Sequence, residues 1–207
     1  MRTLVAVPCM DNVAAPFAHS LASMKNEGEC FISFIIGSLI YESRNNFCKQ
    51  ALKTKADYVL WLDSDMVFDS DIMERLHRHM EDGKDIVSGL YFRRRAPFTP
   101  VLFKDIEVED GVGKWCGYDD YPKNSVFEIA GCGFGCVMLK REVLEAVAFD
   151  SGNWFEPCDG FGEDLSFCIR AKRAGFKIWC DSSIKCGHVG QLIINEDIYE
   201  SMGKRDA

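Results

Sequence analysis

Segments with strand character and segments with helix character alternate through the first 90 residues, and this alternation constrains the possible fold more than any other feature of the sequence. Apolar runs suited to buried strands are separated by stretches whose apolar residues recur at helical spacing. The predicted strands are Thr3–Val7, Cys30–Ile36, Tyr58–Leu62 and Ile86–Leu90, and the predicted helices are Ala14–Asn26, Ser43–Thr54 and one that begins near Asp69–Asp71. Strands that alternate with helices form parallel sheets covered on both faces, so we predict an α/β fold with a mostly parallel central sheet flanked by helices.

After Pro97 the pattern changes to short apolar segments separated by Gly, Pro and Asp turns. These segments, Pro100–Phe103, Gly113–Cys116 and Val126–Ile129, predict a small antiparallel patch that packs on the same core. The last predicted elements are the apolar run Val137-Met138-Leu139, a helix over Arg141–Ala148, a helix that starts at Glu163 and ends before Gly175, and the strand Phe176–Cys180. Because the chain shows no internal repeat and no low-complexity linker, we predict one domain over residues 1–207.

The charge balance and the cysteines limit the class of protein. The chain has 24 Lys and Arg against 32 Asp and Glu, and this acidic balance argues against general nucleic-acid binding, which depends on neutralising phosphates. The longest apolar region, Phe31–Tyr41, is too short for a membrane-spanning helix, so we predict no transmembrane segment. Ten cysteines without a C-x-x-C pair predict reduced, mostly buried thiols rather than a zinc site, and hence a cytoplasmic protein.

Two carboxylates directly follow the apolar strand Tyr58–Leu62, in the sequence Asp63-Ser64-Asp65. Open α/β sheets place their ligands at the carboxyl ends of the strands, so both side chains are expected to emerge at a ligand-binding edge. Acidic side chains this close repel each other unless a cation lies between them, and Mn²⁺ or Mg²⁺ prefers such oxygen ligands. A metal site and a solvated turn before the next helix both agree with this pattern.

A second acidic pair, Glu163 and Asp164, lies in the first turn of a predicted helix. Acidic residues at a helix start stabilise the helix dipole without any further role, whereas a carboxylate that faces a cleft there can act as a general base. His188 follows the last predicted strand, where it is either a structural residue or a metal ligand beside the carboxylates.

These segments, taken in their order along the chain, resemble the GT-A-type glycosyltransferases of the family 2-like group. The resemblance rests on the Pro8-Cys9-Met10-Asp11 loop, Ser43-Arg44-Asn45-Asn46, Asp63-Ser64-Asp65, Gly133-Phe134-Gly135, Gly162-Glu163-Asp164 and Gly187-His188. It implies a single GT-A-like, Rossmann-like domain with a nucleotide-binding half at residues 1–95 and an acceptor-binding half at residues 96–207. The activity that it implies is the transfer of a sugar from a nucleotide-diphospho-sugar, a UDP- or GDP-sugar, to an acceptor hydroxyl.

The resemblance also implies roles for individual residues. The implied nucleotide-sugar contacts are Pro8, Cys9, Asp11, Arg44, Asp63, Ser64, Asp65 and Gly133. The implied ligands for Mn²⁺ or Mg²⁺ are Asp63, Asp65 and His188. Asp164, with Glu163 beside it, matches the acidic pair near the acceptor, and Asp164 would be the base in an inverting transfer. Longer inverting members of the family carry a Q-x-x-R-W motif, whereas Gln191 here is followed by Leu192-Ile193-Ile194. Inversion and retention of the sugar's configuration therefore both stay open. The identity of the acceptor and the formation of a homo-oligomer also stay open.

Two other hypotheses agree with parts of the sequence. Asp63-Ser64-Asp65-Met66-Val67 also fits the D-x-D-x-[TV] signature of haloacid-dehalogenase-like phosphatases, in which Asp63 would be the nucleophile and Mg²⁺ the metal. That signature normally follows the first strand of the core, whereas here at least two strand–helix units precede it. A binding module that holds a nucleotide sugar without catalysis is the third hypothesis. The cluster Tyr91-Phe92-Arg93-Arg94-Arg95, which follows a predicted strand, is either a contact for a diphosphate or an anionic acceptor, or a solvated basic turn.

Overall fold

The computed structural model describes residues 1–26, 28–151 and 153–190. The strands are β1 (Arg2–Cys9), β2 (Glu29–Ile36), β3 (Tyr58–Leu62), β4 (Met66–Val67), β5 (Ile86–Leu90), β6 (Leu102–Glu109), β7 (Val112–Gly117), β8 (Val126–Ile129), β9 (Gly131–Cys132), β10 (Cys136–Lys140), β11 (Ile178–Lys185) and β12 (Gly187–His188). The helices are α1 (Ala15–Ser23), α2 (Ile40–Thr54), α3 (Ile72–Glu81), α4 (Arg141–Ser151) and α5 (Glu163–Arg173).

A seven-stranded sheet forms the centre of the molecule, in the order β2-β1-β3-β10-β5-β11-β8. β1 pairs in parallel with β2 and β3, and β5 pairs in parallel with β11. β10 runs antiparallel between β3 and β5, where Val137 pairs with Trp61 on one side and with Ser88 on the other. Five of the seven strands therefore share one direction, which confirms the predicted α/β fold with a mostly parallel central sheet.

One segment lies in a different sheet from the one predicted. Val126–Ile129 was expected in the small antiparallel patch, but β8 pairs antiparallel with β11 and forms one edge of the central sheet. There it supplies hydrogen-bond partners for the outer side of β11, whose backbone groups would otherwise be unpaired. The patch itself is the three-stranded antiparallel sheet β7-β6-β9.

The helices cover both faces of the central sheet because successive residues of a strand point to opposite faces. In β3, Val59 and Trp61 pack in one apolar cluster with α2, α4 and α5, whereas Leu60 and Leu62 pack in another with α1 and α3. The alternation predicted from the sequence thus yields a sheet whose central strands are buried on both faces. No helix in the described part of the chain is both long enough and apolar enough to cross a membrane.

The strand directions bring distant parts of the chain to one edge of the sheet. β1, β3, β5 and β11 all end there, and β10 begins there because it runs the opposite way. The segments that meet at this edge are the ones that follow β1, β3 and β5, the turn before β10, and β12 after β11. The predicted site residues are carried mainly by these segments.

Candidate active site

A short strand pair brings His188 to Asp65. β4, which directly follows the acidic turn, pairs antiparallel with β12, so that His188 lies opposite Met66. The backbone N–H of Val189 donates a hydrogen bond to the carbonyl oxygen of Asp65 at 2.8 Å. As a result, Nε2 of His188 lies 3.4 Å from Oδ2 of Asp65, and two of the predicted metal ligands stand side by side.

The other ring nitrogen of His188 fixes how the imidazole is oriented. Nδ1 lies 2.8 Å from the carbonyl oxygen of Phe92, which can only accept a hydrogen bond, so Nδ1 carries a proton. The carboxylate of Asp65, which accepts a hydrogen bond from the protonated imidazole, raises the pKa of His188. Burial works to raise the pKa of Asp65, but His188 and Arg94 outweigh it and lower that pKa. The Arg94 guanidinium also contacts Oδ2 of Asp65 directly.

The Asp65–His188 pair suits a divalent metal ion whose remaining coordination positions are filled by water or by substrate. A metal-binding histidine usually donates its second N–H to a carbonyl, as His188 does to Phe92, which leaves Nε2 free to coordinate when the ring is neutral. Within the described ranges, no three or more His, Cys, Asp or Glu side chains are arranged to hold a metal. Asp63 points elsewhere, towards Arg44. Mg²⁺ commonly binds through one or two carboxylates, several waters and substrate phosphate oxygens, so a small protein ligand set is compatible with it.

The second cluster of the site surrounds a buried arginine. The Arg44 side chain is only 2% exposed, and its Nη2 lies 3.2 Å from Oδ1 of Asp63 and 3.3 Å from Oδ1 of Asp164. Its Nε lies 3.8 Å from Oε1 of Glu163, and its Nη1 donates to the carbonyl oxygen of Phe134 at 3.4 Å. The nucleotide contact expected of Arg44 stays a prediction, while the geometry shows an arginine that joins both acidic pairs.

Three aromatic rings enclose the Arg44 guanidinium. Its central carbon lies 5.9 Å from the ring centroid of Trp61, 5.4 Å from that of Phe134 and 5.7 Å from that of Phe155. Cation–π attraction of this kind is strongest where water is excluded, so the rings partly compensate for the loss of hydration. Arg44 is thereby held on the side of the sheet from which it reaches the carboxylates.

Asp164 lies in the first turn of α5, as the sequence predicts, and it faces Arg44. Burial raises the pKa of Asp164 to about 7, because the negative charges of Glu163 and Asp63 add to the effect of burial and Arg44 opposes it only in part. A carboxylate with a pKa near neutrality can both hold and release a proton at physiological pH, which is the property required of a general base. The pKa thus distinguishes Asp164 from an ordinary acidic residue at a helix start.

Tyr91 links the two clusters, and no role in the site was predicted for it individually. Its buried hydroxyl accepts a hydrogen bond from the N–H of Gly135 at 3.1 Å, and the carbonyl of Gly135 accepts one from the N–H of Asp63 at 3.1 Å. On its other side, the ring of Tyr91 meets that of His188 edge to face, with centroids 5.8 Å apart. A Cβ at Gly133 would lie 2.1 Å from the Tyr91 hydroxyl oxygen, so a glycine is needed there for this contact.

The remaining predicted residues lie at the same edge of the sheet. Pro8 and Cys9 are the last residues of β1, the strand beside β3, and Asp11 follows them on the surface. The carbonyl of Ser64 accepts a hydrogen bond from the N–H of Ala14 at 3.0 Å, which ties the acidic turn to the start of α1. Their contacts with a nucleotide sugar stay predictions. The Gln191 segment lies outside the described residues.

The family follows from a match between residues 37–148 and the sequence profile described as Glycosyl transferase family 2, which spans more than half of the 207 residues. The chain belongs to glycosyl transferase family 2. The matched region contains Asp63-Ser64-Asp65 and the glycine turn at 133–135, but it ends before Asp164 and His188. As a family 2 member, the chain is a glycosyltransferase, which confirms the predicted class of enzyme and argues against the phosphatase.

Two solved structures share the fold of this chain over nearly its whole length. The crystal structure of A197 from STIV matches with a TM-score of 0.70 and 24% sequence identity, over 92% of this chain and 87% of that one. The crystal structure of GalNAc-T7 with UDP, GalNAc and Mn²⁺ matches with a TM-score of 0.62 and 11% identity, over 93% of this chain and 44% of that one. At these identities the likeness establishes the fold alone. Among curated proteins, no sequence matches this family 2 chain.

Proposed function

We propose that this glycosyltransferase moves a sugar from a nucleotide-diphospho-sugar to an acceptor hydroxyl, with Asp65 and His188 holding a divalent metal and Asp164 acting as the base. The observation that carries the proposal is the convergence of Asp65 and His188. Nε2 of His188 and Oδ2 of Asp65 lie 3.4 Å apart, and the hydrogen bond to Phe92 orients the imidazole for coordination.

The proposed donor is a UDP- or GDP-sugar, and the proposed metal is Mn²⁺ or Mg²⁺. A protein of the same fold, GalNAc-T7, has been crystallised with UDP, GalNAc and Mn²⁺, which supports a donor and a metal of this kind. We assign the nucleoside to the ends of β1 and β2 and the diphosphate to the acidic turn, which makes residues 1–95 the nucleotide-binding half and residues 96–207 the acceptor-binding half. The latter half extends past the described residues.

The protein's own groups have separate tasks in this proposal. A divalent metal, when bound, neutralises the charge that develops on the departing nucleoside diphosphate. Asp164 accepts the proton of the acceptor hydroxyl, and Glu163 beside it keeps the pKa of Asp164 high. Asp63 is held by Arg44 and by its own backbone N–H bond to Gly135, so it can contact the metal's waters or the ribose from a fixed position.

We expect UDP or GDP to bind only when Mn²⁺ or Mg²⁺ is present, because the diphosphate otherwise meets the carboxylate of Asp65. Asp65→Asn and His188→Ala should each weaken metal-dependent binding about 10- to 100-fold, since each removes a ligand or its charge. Isothermal titration calorimetry with and without a chelator measures this directly. Asp85→Asn is the matched control, because Asp85 contacts Lys140 rather than the site. Equal affinity in the chelator would rule out the assigned role of Asp65.

The transfer rate should rise with pH through about 7 and then level off. Only the deprotonated carboxylate accepts a proton, and the pKa of Asp164 is raised to about 7, so each pH unit below 7 should lower kcat/KM about tenfold. The measurement is kcat/KM at low donor concentration from pH 5 to 9. Nucleotide affinity measured over the same range separates this effect from a change in metal binding. A rate that stays constant from pH 6 to 8 while binding is also constant would contradict the assignment.

A further inference from the structure

Trp115 is a large aromatic side chain that the fold holds at the surface. Of the four tryptophans, Trp61 and Trp154 are buried, whereas Trp115 is 53% exposed. It lies in β7, on the hairpin that β6 and β7 form within the proposed acceptor-binding half. Single exposed apolar residues are common on protein surfaces, so the position of Trp115 relative to the site decides what it can do.

One neighbour of Trp115 belongs to the apolar cluster that supports the start of α5. The rings of Phe103 and Trp115 meet edge to face, with centroids 5.3 Å apart. Phe103 packs in one cluster with Phe161 and Leu165, and Leu165 directly follows Asp164. Through Phe103, Trp115 is therefore anchored to the cluster that positions the proposed base.

The other neighbour of Trp115 belongs to the wall beside the proposed metal pair. The Arg93 guanidinium lies 5.6 Å from the ring centroid of Trp115. Arg93 lines a cavity of about 390 Å³ together with Arg94 and His188, which both contact Asp65. Trp115 thus has one neighbour on the side of the metal pair and one on the side of the proposed base, the two groups between which an acceptor hydroxyl reacts.

The hairpin that carries Trp115 is fixed against the segment that precedes α5. The N–H of Gly113 donates a hydrogen bond to the carbonyl oxygen of Asp159 at 2.7 Å. Gly113 and Trp115, two residues apart, point to the same face of β7, and a Cβ at Gly113 would lie 2.3 Å from the ring of Phe161. The close approach of the strand to this ring therefore requires a glycine. Because the strand is held in place, Trp115 is ordered before any ligand arrives.

The surroundings of Trp115 suit a sugar ring better than an alkyl chain. A pyranose presents C–H groups that pack on an indole face, and hydroxyls around its rim that hydrogen-bond with charged side chains. Arg93, beside the ring, carries such N–H donors. An alkyl chain needs a continuous apolar surface, whereas the exposed residues of the hairpin include six that are charged: Lys104, Asp105, Glu107, Glu109, Asp110 and Lys114.

We propose that Trp115 is a stacking platform for a sugar ring of the acceptor, which makes the acceptor a carbohydrate. This inference rests on the proposed function, because it takes Asp65 and Asp164 to mark the place where the acceptor hydroxyl reacts. The indole packs on one face of the sugar ring, and Arg93 donates hydrogen bonds to hydroxyls at its rim. Trp115 binds and positions the acceptor and takes no part in proton transfer.

Tryptophan fluorescence tests the contact without metal or donor. The probes are the methyl glycosides of glucose, galactose, mannose and N-acetylglucosamine, with the acyclic polyol sorbitol as their control. We expect at least one glycoside to change the emission of the unmodified protein, and sorbitol to leave it unchanged. The response should disappear in Trp115→Phe and persist in Trp179→Phe, because Trp179 lies near the start of β11, at the opposite end of that strand from the site.

The second measurement is the KM for the glycoside in transfer, followed by release of the nucleotide from the donor. Trp115→Leu keeps an apolar side chain but loses the flat ring, so this KM should rise about tenfold, whereas Trp115→Phe should keep most of the affinity. Hydrolysis of the donor by water and metal-dependent binding of UDP or GDP should stay within about twofold of the unmodified protein in both variants. Trp179→Phe should change none of these quantities.

The outcomes separate this inference from the proposed function. An unchanged KM in Trp115→Leu, or a fluorescence that responds to no glycoside, overturns the sugar platform. Transfer to octanol but to none of the glycosides also overturns it, because the acceptor is then an alkyl alcohol. An equal rise in the KM for the donor would assign the ring to the donor sugar instead. Loss of metal-dependent nucleotide binding in the unmodified protein, with the fluorescence response of Trp115 intact, counts against the proposed function alone.

Discussion

Replacing Asp164 with Asn is expected to lower the transfer rate about a thousandfold while leaving donor binding within about twofold. General base catalysis contributes about 10²- to 10⁴-fold, and an amide cannot accept the proton of the acceptor hydroxyl. Asn keeps the size of the side chain, and the other two carboxylates around Arg44 remain. Steady-state rates with saturating donor and a calorimetric titration of the donor product measure the two quantities separately.

The matched control is Glu142→Gln, which also removes an acidic side chain from the first turn of a helix. Glu142 lies in α4 and is exposed, so its replacement tests whether charge at a helix start matters by itself. We expect unchanged turnover and a loss of stability below about 1 kcal/mol. Unchanged turnover in Asp164→Asn would show that Asp164 is not the base. A fall in donor binding equal to the fall in rate would show that it binds rather than catalyses.

Replacing Arg44 with Met is expected to destabilise the protein by about 3 kcal/mol. The substitution removes one partner of a buried ion-pair cluster and leaves Asp63, Glu163 and Asp164 facing one another without a cation. Thermal or urea unfolding gives the free energy of unfolding. Because Arg44 lowers the pKa of Asp164, its loss should also move the midpoint of the pH–rate profile above 7 in the folded variant.

Lys49→Met on the same helix is the control for Arg44→Met. Lys49 is exposed, so its replacement should change stability by no more than about 0.5 kcal/mol. If Arg44→Met were as stable as the control variant, the ion pairs of Arg44 would make no net contribution to the free energy of unfolding. Packing of the side chain among the three rings would then be sufficient for stability at this position. A pH midpoint that stays at 7 would show that Arg44 does not set the charge state of Asp164.

The sequence predicts the strands of the first half well because each is an apolar run bounded by polar residues. Tyr58–Leu62 and Ile86–Leu90 have the same bounds in the structure as in the prediction. The position of β10 between β3 and β5 could not be predicted, since a short apolar run carries no information about its direction or its neighbours. The placement of β8 in the central sheet depends on long-range pairing of the same kind.

The sequence likewise predicts some features of the candidate site and not others. Asp65 could be placed at a ligand-binding edge because it directly follows a buried strand. The approach of His188 to it depends on the pairing of β4 with β12, strands of two residues each, which are too short to show any periodicity. The burial of Arg44 could not be read from α2 alone, because its partners come from the acidic turn after β3, from the turn before β10 and from α5.

The central place of β10 has a consequence for how the enzyme can be assembled. β3 and β5 both belong to residues 1–95, but they are not neighbours in the sheet, because β10, formed by residues 136–140, lies between them. A fragment that ends at residue 95 would contain the acidic turn and still lack the strand that closes the sheet around it. The proposed donor half is therefore not an exchangeable module: during synthesis, the sheet that positions Asp63 and Asp65 can be completed only after the chain has passed Lys140.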